Sequence, residues 1–324
     1  MPPASAEKEF VVALDPPATP PGLARAVYAI GNFDGAHLGH GAVIARTIGL
    51  ARELGAPSAA LTFEPHPADF FAGRRVVFRL AAASVKVRAL RDFGLDGVVT
   101  LTFNAALASL SAEDFVARVL VERLSVSAVV VGWDFHFGKG RGGSPIFLLD
   151  AGRRYGFRVE VIDKVEAATS AEAAAISSTA IRRSLEAGDV EAAQRLLGRP
   201  YSIVGTVVEG RKLGRTLGIP TANIALDATN RLAHGVYAVE TLVDGVRHDG
   251  VASFGTRPTV DDGAPMLEVF IFDFSGDLYG KTIEVAFLAH LRPEQKFDSL
   301  KALKRQMNRD ADEARALLRA RRLV

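Results

Sequence analysis

Short runs of β-branched and aliphatic residues recur along the whole chain, but what separates them changes near Gly198, and no single sheet accommodates both patterns. Before that point each run leads into helical periodicity. Residues 27–30 pass through a glycine-rich turn into a helical stretch over 40–54 that Gly55 closes, and apolar runs at 59–63, 98–101, 129–131 and 159–162 repeat the theme. Ser111-Ala-Glu-Asp114 has the form of a capping box at one helix start. Parallel strands need crossover connections, so this alternation predicts a parallel sheet covered by helices. Two short helices, over about 179–187 and 190–197, close this part.

Beyond Tyr201 the runs at 203–208, 235–243, 267–274 and 283–288 follow one another without helical crossovers, and Asp244-Gly245 forms a tight-turn signal. That pattern predicts a small antiparallel barrel or sandwich. Leu300, Leu303, Met307, Ala314 and Leu317 lie among many charges in the last segment, as in an amphipathic helix packed on the barrel wall. The expected organisation is a tail over 1–25, an α/β domain over 26–198 and a β domain over 199–324. A chain of 324 residues suits two domains of the usual size, roughly 100–200 residues each.

Composition narrows the function classes. The chain has 39 Lys+Arg against 37 Asp+Glu, a net charge of +2 that argues for neither a nucleic-acid nor a membrane partner. It has no cysteine, which removes disulfides, thiolate nucleophiles and Cys-ligated metals and fits a reducing, cytoplasmic setting. The proline-containing N-terminus lacks a signal-peptide core and reads as a loosely held tail. No segment approaches the roughly 18–20 apolar residues of a membrane span.

Two segments carry chemistry. In Gly31-Asn-Phe-Asp-Gly-Ala-His-Leu-Gly-His40, Gly31 and Gly35 let backbone approach a ligand, while His37 and His40 stand at a helix start beside its free amides. That is a phosphate site; the plainer alternative is a pair of surface histidines at a helix cap. A zinc site would need a third protein ligand, and neither His-Glu-x-x-His nor any cysteine is present. The second segment carries Gly210, Gly214, Arg215 and Gly218 ahead of Thr221 and Asn223. It reads as a phosphate-cradling loop without the Gly-Lys-Ser/Thr of a Walker sequence, with an exposed glycine hairpin as the alternative. Thr221 and Asn223 are hard oxygen donors suited to Mg²⁺ beside nucleotide phosphates.

Gly138-Lys-Gly-Arg-Gly-Gly143 formally matches the dinucleotide fingerprint and would suit a nicotinamide-dependent oxidoreductase. Residues 132–137, however, separate it from the preceding strand, where the fingerprint needs an immediate turn. A basic loop that closes over phosphate through Lys139 and Arg141 fits the same composition better.

The first decapeptide resembles the Gly-x-Phe-Asp-Gly-x-His-x-Gly-His signature of the bacterial bifunctional riboflavin kinase/FMN adenylyltransferase family, the FAD synthetases. Thr62-Phe-Glu-Pro-His-Pro67, Gly132-Trp-Asp-Phe-His-Phe-Gly138 and Ile176-Ser-Ser-Thr179 with Ile181-Arg182 resemble further segments of its nucleotidyltransferase module, in the same order. Gly218-Ile-Pro-Thr-Ala-Asn223, Gly235-Val-Tyr237, Leu267-Glu268 and Asp277-Leu-Tyr-Gly280 resemble its riboflavin kinase module. The resemblance spans nearly all of the chain after residue 25.

It implies a Rossmann-like nucleotidyltransferase sheet followed by a small antiparallel β-barrel with a terminal helix. It also implies two Mg²⁺-assisted reactions of ATP: riboflavin to FMN, then FMN to FAD with release of pyrophosphate. His37 and His40 would sit on the triphosphate, Asn32 and Asp34 would shape the turn beneath it, and Ser178, Thr179 and Arg182 would hold departing phosphates. Ser178 and Thr179 are also possible helix caps. Asp134 would position the flavin phosphate or the adenosine side, and Glu268 would be the general base of the kinase, on a strand face shared with Phe270, Phe272 and Phe274. Arg257 and Arg292 read either as flavin or phosphate contacts or as solvated ends of strands. Ser144, Ser253 and the alanines after Leu80 depart from the family's usual residues. A flavin-binding regulatory protein without turnover is the remaining alternative, and homo-oligomerisation is left open.

Overall fold

The computed structural model describes residues 9–163, 176–210, 218–256 and 265–322. The chain divides into two units, Met1–Val77 with Ala83–Ile176, and Phe78–Ala82 with Ser177–Val324. Among the described residues no helix is long and apolar enough to cross a membrane.

The first unit is built on β1 (Val11–Leu14), β2 (Val27–Ile30), β3 (Ser58–Glu64), β4 (Gly97–Thr102), β5 (Ala128–Gly132) and β6 (Arg158–Ile162). They form one sheet in the order β1-β4-β3-β2-β5-β6, with every neighbouring pair parallel. Its helices are α1 (Leu38–Leu54), α2 (Pro67–Ala72), α3 (Ala83–Asp92), α4 (Ala105–Ser109), α5 (Ala112–Asp114) and α6 (Pro145–Tyr155). Ser111 caps α5 by accepting from the Asp114 amide, as the capping box predicts, and the chain then continues in wider π winding through Phe115–Arg123. Alternate β2 side chains enter two apolar clusters, Tyr28 and Ile30 on one face and Val27 and Ala29 on the other. A sheet buried on both faces explains why its strands read as continuous apolar runs.

The tail over 1–25, whose order the sequence leaves open, contains a strand, β1. Val11–Leu14 pairs with β4 as an edge strand, and the Asp15 amide donates to the Thr100 carbonyl at 2.9 Å. Exposed Val12 and Leu14 blur the apolar signal of so short a run.

The second unit begins with α7 (Ser178–Glu186) and α8 (Val190–Leu197). It continues through β7 (Tyr201–Val208), β8 (Ala222–Ala225), β9 (Gly235–Val243), β10 (Val246–Thr256), β11 (Pro265–Ile271) and β12 (Thr282–Pro293) to α9 (Leu300–Arg321). The strands close into a barrel in the order β10-β11-β8-β7-β12-β9, antiparallel throughout. Ile181, Leu185, Val190, Ala193 and Leu197 join barrel residues such as Tyr201, Val239 and Phe287 in one core. The two helices therefore go with the barrel, and the change of unit falls at Ile176/Ser177 instead of after Gly198. Local periodicity places them on helices; only packing decides which core takes their apolar faces.

Two local readings also change. β11 stops at Ile271, and Asp273 turns to positive φ (55°) with its carboxylate on Arg315, whose hydrogen bonds hold it below the ordinary aspartate range. Strand alternation therefore ends before Phe274, which packs on the barrel core, while Phe270 and Phe272 pack on the side toward α9. On α9 the buried face is Asp310, Ala311, Ala314 and Leu318, and Leu300 is exposed.

Arg292, at the end of β12, grips Asp310 of α9 with two hydrogen bonds of 2.9 and 2.7 Å, and Gln306 donates to the same carboxylate at 2.8 Å. Asp310 is nearly inaccessible, so removing its charge strands a guanidinium in a half-dry site. Asp310→Ala should lower the stability of this unit by about 3 kcal/mol, the low end for a broken buried pair, read as an earlier urea midpoint by far-UV circular dichroism.

Candidate functional sites

In the first unit the connections from β2 run through β3 to β4 on one side and from β5 to β6 on the other. The direction of winding thus reverses between β2 and β5. In open α/β sheets the crevice at the carboxyl end of such a reversal is where ligands bind. The two loops that leave there are the ones the sequence singles out: Gly31 to His37 after β2, and Trp133 to Ser144 after β5.

The first loop is tightly determined. Phe33 and Ala36 adopt positive φ of 47° and 38°, a conformation that costs energy for residues with a Cβ and persists only where surroundings impose it. Asp34 and His37 are buried. The His37 amide donates to His40 Nδ1 at 3.1 Å, and the two imidazoles stack with centroids 3.7 Å apart. Because Nδ1 of His40 accepts, a neutral His40 ring carries its proton on Nε2 and presents it as a donor. Phe33 packs edge-on against the same ring. Gly39 is required by contact: a Cβ there would lie 2.9 Å from the Ile176 carbonyl oxygen and 3.1 Å from the His37 ring.

Beneath the loop lies a residue that the motifs do not flag. Lys86 of α3 is 2% exposed, and its ammonium donates to the Asn32 carbonyl (3.3 Å), Thr62 Oγ1 (3.2 Å) and Glu64 Oε1 (2.6 Å). Thr62 itself donates to the Asn32 carbonyl at 3.1 Å. The available signal is positional: Lys86 shares the i, i+3, i+4 stripe of α3 with buried Ala89 and Leu90, where a hydrophobe is the norm.

The loop after β5 is not a dinucleotide fingerprint. Phe137 and Gly143 exchange backbone hydrogen bonds of 3.2 and 2.9 Å, the Lys139 amide donates to the Leu110 carbonyl, and α6 starts only after this bridged turn. Ser144, one of the departures, caps α6 by accepting from the Phe147 amide. Asp134 is exposed at the end of β5, and its carbonyl meets His136 Nδ1 at 2.8 Å.

The second unit carries the other set. β8 pairs with β11 so that Asn223 stands directly opposite Glu268, and β10 places Ser253 opposite Glu268 from the other side. Ala222, Ile224, Leu267, Val269, Ala252 and Phe254 point into the barrel core, so Asn223, Glu268 and Ser253 share its outer surface. Elsewhere that surface, at Val236, Ala238, Val251 and Ala289, lies under α9. Asn223 is buried and its amide nitrogen donates to the Thr221 carbonyl at 3.3 Å. Gly210 lies against the Asn223 carboxamide. Gly218 takes a φ of 79° ahead of Thr221.

The remaining expected residues are distributed as follows. Ser177 caps α7 by accepting from the Ala180 amide, so Ser178 and Thr179 are its first helical residues rather than its caps. Arg182 donates to the Phe78 carbonyl at 2.8 Å. Arg292 is engaged with Asp310 and lies 5.8 Å from the Phe297 ring. Gly214, Arg215 and Arg257 lie outside the described residues.

Comparison with known proteins agrees with this two-part layout. Residues 20–180 match the FAD synthetase family model and residues 197–318 the riboflavin kinase model. Among curated relatives, the bifunctional riboflavin kinase/FMN adenylyltransferase of Pseudomonas fluorescens is 47% identical over 292 residues, covering 90% of this chain and 92% of the relative. The Escherichia coli (strain K12) protein of the same name is 42% identical, covering 89% and 91%. A solved structure titled a macrolide-efflux protein from Streptococcus pneumoniae superposes with a TM-score of 0.80 at 30% identity, covering 94% of this chain and 99% of that one.

The close approach of Gly210 to Asn223 has a structural consequence. A Cβ at position 210 would stand 2.5 Å from Asn223 Nδ2. Gly210→Ala should displace the carboxamide, visible in a crystal structure of the variant, and cost about 1–3 kcal/mol of stability through overpacking.

Proposed function

Because the chain belongs to the bifunctional riboflavin kinase/FMN adenylyltransferase family, whose members are transferases with both activities, we propose that its two sites divide the work by unit. The barrel phosphorylates riboflavin, and the parallel-sheet unit adenylylates the resulting FMN. The observation that carries the residue assignment is the register of the barrel, where Asn223 and Glu268, from separate motifs, are direct cross-strand neighbours on its outer face.

In the kinase site, Glu268 takes the proton of the ribityl hydroxyl as that oxygen bonds to the γ-phosphorus of ATP and the bond to ADP breaks. A base is useful here chiefly through its placement, since phosphoryl transfer depends on positioning and charge stabilisation. Thr221 and Asn223 fit Mg²⁺: both offer neutral oxygen, and the hydrogen bond from Asn223 Nδ2 to the Thr221 carbonyl fixes the orientation of the carboxamide. Among the described residues no group of three or more His, Asp and Glu side chains is gathered for a metal, so the nucleotide phosphates would complete the shell. When bound, Mg²⁺ neutralises charge on the transferring phosphates. The loop from Gly210 to Gly218, with Arg215, would cradle the polyphosphate.

In the adenylyl-transfer site, an FMN phosphate oxygen bonds to the α-phosphorus of ATP as the bond to pyrophosphate breaks. No proton needs to move, so the work is electrostatic. His37 and His40 donate to triphosphate oxygens, the latter through Nε2, and the first amides of α1 add their dipole end. Ser178, Thr179 and Arg182 are assigned to the departing phosphates, and Asp134 to the flavin or adenosine side. Use of ATP supports a cytoplasmic location.

Pure protein incubated with Mg²⁺-ATP and riboflavin, or with Mg²⁺-ATP and FMN, and resolved by chromatography should yield FMN and then FAD. Absence of both products would overturn the reading. Glu268→Gln should abolish FMN formation, with a loss of more than about a hundredfold, while sparing FAD formation from supplied FMN. Replacing both His37 and His40 by Asn should do the reverse. Chelation with EDTA should stop both reactions, and added Mg²⁺ should restore them.

A further inference from the structure

Lys86 is a charged group in an almost inaccessible place, and burying an ammonium is costly unless its protons are taken up. Acceptors within hydrogen-bond distance include Glu64 Oε1 at the end of β3, Thr62 Oγ1 two residues earlier, and the Asn32 carbonyl in the loop after β2. Two of these partners belong to the sheet and one to the loop. The lysine therefore ties the loop to the adjacent strand from below, directly at its exit from β2. That loop holds two non-glycine residues at positive φ, and it ends in the stacked His37–His40 pair. A strained turn keeps its shape only while its anchors hold.

We propose that Lys86 is a positioning residue for adenylyl transfer, with Thr62 as its relay: together they fix the Asn32 carbonyl and thereby the placement of the His37–His40 pair. The ammonium donates to protein oxygens on both the strand and the loop, and the role assigned to it is to hold the loop. The inference rests on the assignment of adenylyl transfer to this unit. Misplacement of catalytic donors by about 1 Å costs roughly a hundredfold in rate. Loss of the anchor should therefore appear in kcat more than in KM, because part of the loop's contact with substrate survives.

The test uses the full chain. Lys86→Met keeps length and volume while removing the charge, and Thr62→Val keeps the shape of a buried strand residue while removing the relay. Three readouts are taken on each variant: kcat and KM for FAD formation from FMN, riboflavin phosphorylation in the same preparation, and urea unfolding followed by fluorescence. Trp133 is the one tryptophan of the chain and lies in the sheet unit, so its transition reports the folding of that unit alone.

Lys86→Met should lower kcat for FAD formation by about 10–100-fold, and Thr62→Val by about 3–10-fold. KM values should stay within about threefold, riboflavin phosphorylation should be unchanged and the Trp133 transition should remain cooperative. Wild-type kcat in folded Lys86→Met, or a loss confined to KM, would overturn the proposal. If Lys86→Met does not fold, Thr62→Val decides: wild-type kcat there overturns it as well. A wild-type chain that makes FMN but no FAD would instead remove the assignment of the sheet unit, an outcome visible before any variant is made.

Discussion

The parallel-sheet unit depends on the pairing of β2 with β3 and β5 along its two edges. All four residues of β2 are buried, and its backbone groups have nowhere to go but into these ladders. From that central position the chain winds outward in both directions, which leaves a crevice at the carboxyl end of β2 that no crossover helix covers. The loop from Gly31 to His37 lies at this point because the topology places it there. The strained turn, the stacked histidines and the buried lysine beneath it are built on a strand that is buried along its whole length and paired on both edges.

The barrel solves a different problem with the same logic. Closure pairs every strand on both edges, and alternate side chains fill the interior. That leaves an outer surface to be disposed of. α9 takes the part made by β9, β10 and β12, held by small residues at the contact and by the Arg292–Asp310 pair. The part made by β8, β11 and one residue of β10 carries polar groups instead: Asn223, Glu268 and Ser253 in register. A surface that presents a carboxylate and a carboxamide side by side is suited to a substrate hydroxyl and a nucleotide phosphate, and it is rigid because it belongs to the sheet.

Much of the element pattern is legible in the sequence because periodicity and punctuation agree. Helix α8 and strand β9 fall where the pattern puts them, and Asp244 and Gly245 take the positive φ values of a tight hairpin turn. What escapes is partly short and partly polar. β1 and β8 have four residues each and are defined by the strands that they pair with, while Arg247, His248 and Asp249 near the start of β10 break an apolar run. The π winding after Asp114 has no local marker in the capping box that precedes it.

The chemistry divides the same way. The histidine decapeptide, at the start of α1, and the segment from Gly210 to Asn223, which leads into β8, are recognisable in one dimension because their glycines and polar side chains lie close together in the chain. The sequence by itself determines that two glycine-rich polar segments exist and that they sit on different architectures. Only the tertiary structure decides that α7 and α8 pack with the barrel, that Glu268 faces Asn223, that Arg292 holds a helix and that Lys86 holds a loop. Each of these joins residues far apart in the chain, and such contacts are set by strand register and by which core buries which face, neither of which leaves a local trace.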